Sequence, residues 1–289
     1  MPSEGLKAQA NEGETVSGEA FRYDGKNVVV VGGATGMGAA AAQTAGELGA
    51  TVTVLDVADV SYPVAKAIKI DLRDRPSVEA AADAIDGPVH ALFSCAGVAD
   101  GTPGLMLINF ISQRHFLDRL RESGKLGRGS AVVMISSVAG LGWQSNLEQV
   151  HDFLNQAGWD AAAKWIEAHE GTDNYFLSKQ IINTYVAHQG FVLLKEGIRI
   201  NAVMPGPTDT PLARANAELW LGFGSDYREK LGIEALSPKQ IANVMSFLCS
   251  DAASGINGVT LVVDAGHVGA AIAGSYEDPI ITMLAGLSS

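Results

Sequence analysis

The segment NVVVVGGATGMG, residues 27–38, determines the fold expected for the whole chain. Its first five residues form a short, continuous and mostly β-branched run, which is typical of a strand buried on both faces of a parallel sheet. The turn that follows contains Gly32, Gly36 and Gly38 and leads into an Ala-rich helical pattern. Glycines at a strand–turn–helix junction let backbone N–H groups approach a pyrophosphate at the positive end of the helix dipole. The segment therefore predicts a dinucleotide site, with a purely structural glycine turn as the alternative.

Six more strand-like runs follow, at residues 51–55, 67–70, 90–94, 131–135, 198–203 and 258–263. Helical patterns separate most of them. This alternation predicts a single Rossmann-like α/β domain with a doubly wound, seven-stranded parallel sheet and helices on both faces. The connection between Val57 and Lys66 is too short for a full crossover helix and contains Pro63, so we expect it to be truncated.

Four segments depart from this alternation. Residues 1–25 are polar and predicted to be a flexible N-terminal extension, and residues 267–289 a Gly/Ala-rich C-terminal tail, which leaves 26–266 as the catalytic domain. Residues 142–172 keep helical spacing between strand five and the next helix, so we interpret them as a helical insertion. Residues 212–236 contain both aromatic residues and glycines. This composition predicts a mobile apolar lid that covers a bound substrate.

Asp56 ends the second strand, about twenty residues after the glycine turn. A carboxylate at this position can accept hydrogen bonds from the ribose 2′-OH of NAD and repels the 2′-phosphate of NADP. The sequence therefore predicts NAD and disfavours NADP, while a surface acid at a strand end is the alternative.

Tyr175 and Lys179 lie four positions apart in a helical pattern, so they share one face of a helix. A nearby ammonium favours the phenolate and lowers the pKa of a tyrosine from its usual value of about 10, which suits acid–base catalysis. The pair also occurs by chance in many helices, so the other motifs of the chain must decide whether it is catalytic. Ser137 follows strand five at the sheet edge where α/β proteins bind ligands, and Asn109 is a polar residue in an apolar helical run.

These motifs, in this order, resemble the short-chain dehydrogenase/reductase family over roughly residues 26–266. The resemblance implies a catalytic tetrad of Asn109, Ser137, Tyr175 and Lys179. It implies cofactor contacts by Gly32, Gly36, Met37, Gly38, Asp56, Asp71, Leu72, Ala96, Gly97, Tyr175, Lys179, Pro205, Gly206 and Thr208.

Three departures from the family pattern stand out. Val31 replaces a usual Thr, and Ser94-Cys95 replaces the usual Asn-Asn pair, so the hydrogen bonds of those side chains must come from elsewhere. Tyr175 also follows Ser137 at an unusually long interval because of the 142–172 insertion. This insertion, together with the truncated connection, is similar to the branch that contains bacterial 3α-hydroxysteroid dehydrogenase and coniferyl-alcohol dehydrogenase.

The resemblance implies an NAD-dependent oxidoreductase that interconverts a hydrophobic secondary or aryl alcohol, such as a hydroxysteroid, and its carbonyl compound. Tyr175 would act as acid and base, Lys179 would lower its pKa, Ser137 would orient the substrate oxygen, and Asn109 would anchor a water. The candidate substrate contacts are Ser137, Trp143, Trp220 and Phe223; the insertion aromatics Phe153, Trp159 and Trp165 either add to them or only pack.

Two other functions are compatible with the motifs. One is a catalytically idle NAD-binding sensor or scaffold, against which an intact tetrad argues. The other is an NAD-dependent epimerase or dehydratase, which usually needs a larger carboxyl-terminal domain than the residues after Thr210 provide.

Composition excludes several classes of partner. The chain has 20 basic and 32 acidic residues, a formal charge of -12 that repels nucleic acid and anionic lipid. It has no long apolar run, so we expect a cytoplasmic protein without a membrane partner. The histidines lack metal-ligand spacing, and the two cysteines are expected to be free thiols. The resemblance implies a homodimer or homotetramer formed through the long helices at 105–123 and 173–196.

Overall fold

A computed structural model describes residues 18–287. The sheet contains seven parallel strands in the order β3-β2-β1-β4-β5-β6-β7. The strands are β1 (Asn27–Val31), β2 (Thr51–Asp56), β3 (Lys66–Lys69), β4 (Ala91–Ser94), β5 (Ala131–Ile135), β6 (Arg199–Pro205) and β7 (Thr260–Val263). The order reverses between β1 and β4, which defines the crevice at the carboxyl edge where such sheets bind ligands. The predicted doubly wound parallel sheet is confirmed.

Helices cover both faces of the sheet. They are α1 (Gly36–Glu47), α2 (Arg75–Asp83), α3 (Ser112–Glu122), α4 (Leu147–Leu154), α5 (Gly158–Ala168), α6 (Tyr175–Leu194), α7 (Pro211–Ala215), α8 (Ala217–Trp220), α9 (Ser225–Leu231), α10 (Pro238–Cys249), α11 (His267–Ile272) and α12 (Pro279–Leu284). Buried residues of α1 and α10 form the core on one face, and those of α3 and α6 form the core on the other. Within residues 57–65 the structure has no helix, as the truncated connection predicts.

The helical pattern around Asn109 is not one continuous α-helix. Residues Leu107–Ile111 form a π-helical turn, and α3 begins only at Ser112. A π turn adds a residue to the helix repeat and is frequent at functional sites. The sequence pattern did not reveal it, because apolar spacing does not distinguish one π turn from an α-turn.

The insertion and the lid are both helical. The insertion contains a 3-10 turn at Trp143–Asn146 followed by α4 and α5, and the lid contains α7, α8 and α9. Most of the predicted extension, residues 1–17, lies outside the described residues. The last part of the predicted flexible extension, residues 18–25, instead packs on the domain at Tyr23, which is fully buried and whose hydroxyl donates to the Ser246 carbonyl at 2.6 Å.

Among residues 18–287, no helix has both the length and the apolar character that crossing a bilayer requires. The same part of the chain has no group of three or more His, Cys, Asp and Glu side chains arranged to hold a metal ion. Cys95 and Cys249 are free thiols.

Candidate active site

The glycine turn between β1 and α1 forms a cradle that larger residues would fill. Gly32 has φ +79°, and a Cβ atom there would lie 2.5 Å from the backbone of Ala96. Gly36, at the first residue of α1, has φ +59°. Both φ values are in the region that side-chain-bearing residues rarely adopt, so this turn requires glycine at both positions. The first N–H groups of a helix lack partners within the helix, which makes the start of α1 a suitable site for a phosphate.

A cavity of about 430 Å³ opens beside this turn. Nine of the predicted cofactor residues line it: Gly32, Gly36, Met37, Gly38, Asp56, Asp71, Leu72, Ala96 and Gly97. The turn, the helix N-terminus and the acid at the end of β2 therefore share one cavity, and their shapes and charges fit a nicotinamide dinucleotide.

Asp56 is held in place by backbone donors. Its Oδ2 accepts from the N–H of Ala34 at 2.8 Å, and its Oδ1 accepts from the N–H of Ala58 at 2.9 Å. Each oxygen keeps a lone pair for another donor. Asp71, by contrast, forms a salt bridge with Arg73 at 2.9 Å, which lowers the pKa of its carboxyl.

Tyr175 and Lys179 lie at the start of α6. The helix begins here because the Asn174 side chain accepts from the N–H of Leu177 at 2.8 Å and caps the first turn. The Lys179 ammonium is 5.2 Å from the centroid of the Tyr175 ring and donates to the carbonyl of Ile135 at 3.0 Å. The predicted pair is thus brought to the carboxyl end of β5.

The pKa of Tyr175 differs from the sequence prediction. Burial raises it to about 12, the Ser137 hydroxyl opposes this rise by hydrogen bonding, and the charge of Asp100 adds to it. Burial also lowers the pKa of Lys179 to about 8. Lys179 was expected to lower the pKa of Tyr175, but desolvation of the phenol by its surroundings is the larger effect.

Ser137 follows β5 and caps a 3-10 turn at Val138–Gly140, where its Oγ accepts from the N–H of Ala139 at 3.2 Å. Asp100 accepts from the backbone N–H of Tyr175 at 2.7 Å. Two nearby groups therefore act on the phenol in opposite directions: the Ser137 hydroxyl favours its ionised form, and the Asp100 carboxylate disfavours it.

Asn109 is fully buried in the π turn and uses its amide to hold the cofactor side of the site. Its Oδ1 accepts from the N–H of Val98 at 2.8 Å, and its Nδ2 donates to the Val98 carbonyl and to the Ser178 hydroxyl, both at 3.2 Å. It lies in neither cavity wall. The side chain thus fixes the loop after β4 to α6.

Gln113 supplies hydrogen bonds that the unusual Ser94-Cys95 pair cannot. It accepts from the Ser94 hydroxyl, and its Nε2 donates to the carbonyls of Ile108, Ala96 and Asn109 at 2.8, 2.9 and 3.1 Å. The sequence analysis missed Gln113. The available signal was a Gln four positions after Asn109 in a helix with a buried apolar face.

A second cavity, of about 260 Å³, adjoins the first and shares Met37, Cys95, Gly97, Thr210 and Leu212 with it. Its wall includes these predicted residues: Ser137, Tyr175, Lys179, Pro205, Gly206, Thr208, Trp220 and Phe223. Trp220 and Phe223 belong to the predicted lid, and the Trp220 ring lies 4.8 Å from the Tyr175 ring, centroid to centroid. Leu219, Ile280 and Leu284, which the sequence analysis did not single out, complete the apolar wall.

Trp143 lies on the 3-10 turn of the insertion and lines neither of these cavities. The other insertion aromatics are buried in the core: Phe153 is 5.8 Å from the Phe110 ring and 5.3 Å from the Trp165 ring. Of the two interpretations that the sequence left open, packing describes Phe153, Trp159 and Trp165.

Comparisons with known proteins identify the family of this chain. A family model described as enoyl-(acyl carrier protein) reductase matches residues 161–267. Cis-4-hydroxycyclohexanecarboxylate dehydrogenase of Sinomonas cyclohexanicum is 31% identical over 268 residues, which cover 86% of this chain and 98% of that protein. The chain therefore belongs to the short-chain dehydrogenase/reductase family and is an oxidoreductase.

The predicted branch is also confirmed. The chain is 28% identical to 3-alpha-hydroxysteroid dehydrogenase/carbonyl reductase of Comamonas testosteroni (83% of this chain, 95% of that protein). It is 25% identical to coniferyl-alcohol dehydrogenase of a Pseudomonas species (83% and 96%). A crystal structure of 3-alpha-hydroxysteroid dehydrogenase from Pseudomonas sp. B-0831 with NADH has the same fold, with a TM-score of 0.70 and 24% identity over 88% of this chain and 100% of that one.

Proposed function

We propose that this protein is an NAD-dependent dehydrogenase or reductase that interconverts a hydrophobic secondary or aryl alcohol and its carbonyl compound. One observation carries the proposal: Tyr175, Lys179 and Ser137 line the apolar second cavity, which adjoins the cavity of the glycine turn and shares wall residues with it. A dinucleotide in the first cavity and an alcohol in the second would meet at the phenol. The relatives named for hydroxysteroid and coniferyl-alcohol oxidation support an alcohol of this kind.

The proposed cofactor residues divide into two sets. Gly32, Gly36 and Gly38 would hold the pyrophosphate at the start of α1, and Asp56 would accept from the adenosine ribose. Pro205, Gly206 and Thr208, after β6, would face the nicotinamide, and Lys179 would bind its ribose. Bound NAD would supply the hydride acceptor.

The acid–base work falls to the chain's own groups. Tyr175 as phenolate would take the hydroxyl proton of the alcohol, and in the reverse direction the phenol would return a proton to the forming alkoxide. Ser137 would donate a hydrogen bond to the substrate oxygen as negative charge develops there. Lys179, when protonated, would favour the phenolate. Asn109 would keep the loop around Gly97 fixed beneath the cofactor and serve the proton route that the family resemblance implies.

The substrate cavity favours an uncharged molecule. Its charged wall residues are Asp100 and Lys179, and Lys179 is buried and hydrogen-bonded to Ile135. Among residues 18–287, no other cationic residue lines the cavity to receive a carboxylate, whereas Trp220, Phe223 and Leu219 offer apolar contact. A hydroxysteroid, terpene alcohol or aryl alcohol without an acid group near the reacting carbon fits this wall.

The test is a steady-state screen of hydrophobic alcohols and ketones with NAD and with NADP. We expect turnover with NAD, and with Tyr175→Phe a loss of turnover of at least about 100-fold, because a positioned acid–base group contributes that much or more. NADH affinity, measured by fluorescence titration, should stay within about threefold of wild type. Constant NADH absorbance over the whole panel would favour the idle sensor or scaffold, and faster turnover with NADP would remove the role given to Asp56.

We also propose a homodimer or homotetramer. Phe191 and Leu194 on α6 are 71% and 52% exposed, which is a high exposed fraction for large apolar side chains near the end of a core helix. Light scattering on the wild type and on Phe191→Lys tests this. We expect a lower molar mass for Phe191→Lys than for the wild type. A wild type with the molar mass of a monomer would refute the proposal.

A further inference from the structure

A third cavity, of about 220 Å³, lies between α3, α6 and the insertion helices. It shares no lining residue with the cofactor and substrate cavities. Its wall is mostly polar and includes Arg114, Tyr185, His151, His188 and Asn155. Its volume is below the 300–1,000 Å³ or so typical of drug-sized ligands, so any ligand is small.

Arg114 is a buried cation without an acidic partner. The residue is only 8% exposed, and none of the residues 18–287 places a carboxylate oxygen within salt-bridge distance of it. Its Nη2 donates to the carbonyls of Gly158 and Gln156 at 3.0 and 3.3 Å. Two aromatic rings flank the guanidinium, with Cζ 5.7 Å from the Phe110 centroid and 6.0 Å from the Phe153 centroid.

This arrangement holds the guanidinium by hydrogen bonds and aromatic contacts, without a salt bridge among residues 18–287. Burial lowers the pKa of Arg114, but arginine stays charged in proteins. Only one of its three nitrogens is hydrogen-bonded within the described residues, and the side chain lines the cavity. A buried charge of this kind is unfavourable unless it is paired. Carboxylate and phosphate groups are the partners that a guanidinium binds in a bidentate manner.

Tyr185 offers a second donor to the same cavity. It is 3% exposed, and its ring packs edge-on against Phe110 with centroids 5.2 Å apart. Among residues 18–287 its hydroxyl has no hydrogen-bond partner, and the residue lines the cavity, so the hydroxyl is available as a donor. Asp118 also lines the cavity and forms its salt bridge with Arg121 at 3.1 Å, although its charge also acts on Arg114 and raises the pKa of that guanidinium.

We propose that this cavity binds a small molecule through a carboxylate or phosphate group, with Arg114 and the Tyr185 hydroxyl as its donors. Both anions present the same acceptor oxygens, and the insertion builds half of the wall. The insertion then does more than lengthen the approach to Tyr175, because it completes a second ligand site against α3 and α6.

Calorimetric titration of the intact protein with acetate, benzoate and inorganic phosphate, at an ionic strength held constant with sodium chloride, tests the proposal. We expect saturable binding of at least one probe. Tyr185→Phe, which removes only the unpartnered hydroxyl, should weaken this binding about three- to tenfold. Arg114→Lys should weaken it at least about tenfold, since lysine lacks the fork geometry.

Arg119→Lys is the matched control, because Arg119 lies on the same helix and binds Asp83 outside the cavity at 2.9 Å. It should bind the probe as wild type does. If Arg114→Lys fails to fold, Tyr185→Phe decides alone. The proposal is overturned if no probe shows saturable binding. It is also overturned if a probe binds with the same affinity to the wild type and to both cavity variants, because the probe then binds elsewhere, such as at the glycine turn. The relative strength of phosphate and the two carboxylates identifies the preferred oxyanion.

Discussion

Lys179 should reduce the stability of the protein at neutral pH. The side chain is 3% exposed, donates to one carbonyl, and has no carboxylate within salt-bridge distance among residues 18–287. Burial lowers its pKa from 10.5 to about 8. A difference of 2.5 pKa units corresponds to about 3 kcal/mol, because each unit is worth about 1.4 kcal/mol. This is the order of magnitude by which the buried ammonium disfavours folding at pH 7.

Replacement by methionine removes this charge and keeps a long apolar chain. Lys179→Met also loses the hydrogen bond to Ile135, worth about 1 kcal/mol. We therefore expect the free energy of unfolding at pH 7 to rise by about 2 kcal/mol while turnover is lost. A more stable and inactive variant would identify Lys179 as a functional residue that destabilises the fold.

The extra stability of Lys179→Met over the wild type should decrease as the pH rises. Because the pKa of Lys179 is lower in the folded state, the unfolded state binds more protons between about pH 8 and pH 10.5. Wild-type stability therefore gains about 1.4 kcal/mol per pH unit in that window from this residue. The difference between Lys179→Met and wild type should shrink above pH 8 and be gone by about pH 10.

Urea unfolding of both proteins at pH 7, 8, 9 and 10 measures this difference. Burial raises the pKa of Cys95 and of Cys249, but these thiols titrate alike in both proteins and cancel in the comparison. Tyr175 contacts Lys179, so the same pair is also compared in a Tyr175→Phe background. A variant less stable than wild type at pH 7, or a difference that does not change with pH, would refute the reasoning.

Three further changes test the site. Asp100→Asn keeps an acceptor for the Tyr175 N–H but removes the charge that raises the pKa of the phenol. The pH at which the oxidation rate rises should therefore fall by a fraction of a pH unit. An unchanged pH profile would mean that solvent screens this exposed carboxylate. Gln113→Leu leaves the Ser94 hydroxyl without its acceptor and several buried carbonyls without their donor. The free energy of unfolding, measured with urea, should fall by at least about 2 kcal/mol. Equal stability of the two proteins would contradict the importance of this hydrogen-bond network. Trp220→Ala removes the ring that packs on Tyr175, and the KM for a hydrophobic alcohol should rise about tenfold with a smaller change in kcat; a fall in kcat alone would argue against substrate contact.

Most of the sheet was predictable from local pattern. A strand buried on both faces must be apolar throughout, so runs such as Val28 to Val31 are visible in the sequence. The alternation of strands and helices predicted the doubly wound parallel sheet, whereas the strand order is known only from the structure. The π turn at Asn109 was not predictable, since its apolar spacing also satisfies an α-helix.

The wall of the first cavity was better predicted than the wall of the second. The predicted cofactor residues belong to short motifs at strand ends, and nine of them line the first cavity. The wall of the second cavity includes Ile280 and Leu284 from α12, far along the chain, which no local pattern connects with Tyr175. The aromatic residues of the insertion were ambiguous because packing and ligand contact require the same side chains.

The sequence by itself determined the parallel α/β fold, the glycine turn, the acid after β2 and the Tyr175–Lys179 pair, because each rests on neighbours within a few positions. Only the tertiary structure decided the sign of the Tyr175 pKa shift, the use of Gln113 in place of the usual asparagines, and the unpaired state of Arg114. These depend on desolvation and on partners brought together from distant segments. Burial of a charge is a property of the packed chain, so no local pattern contains it.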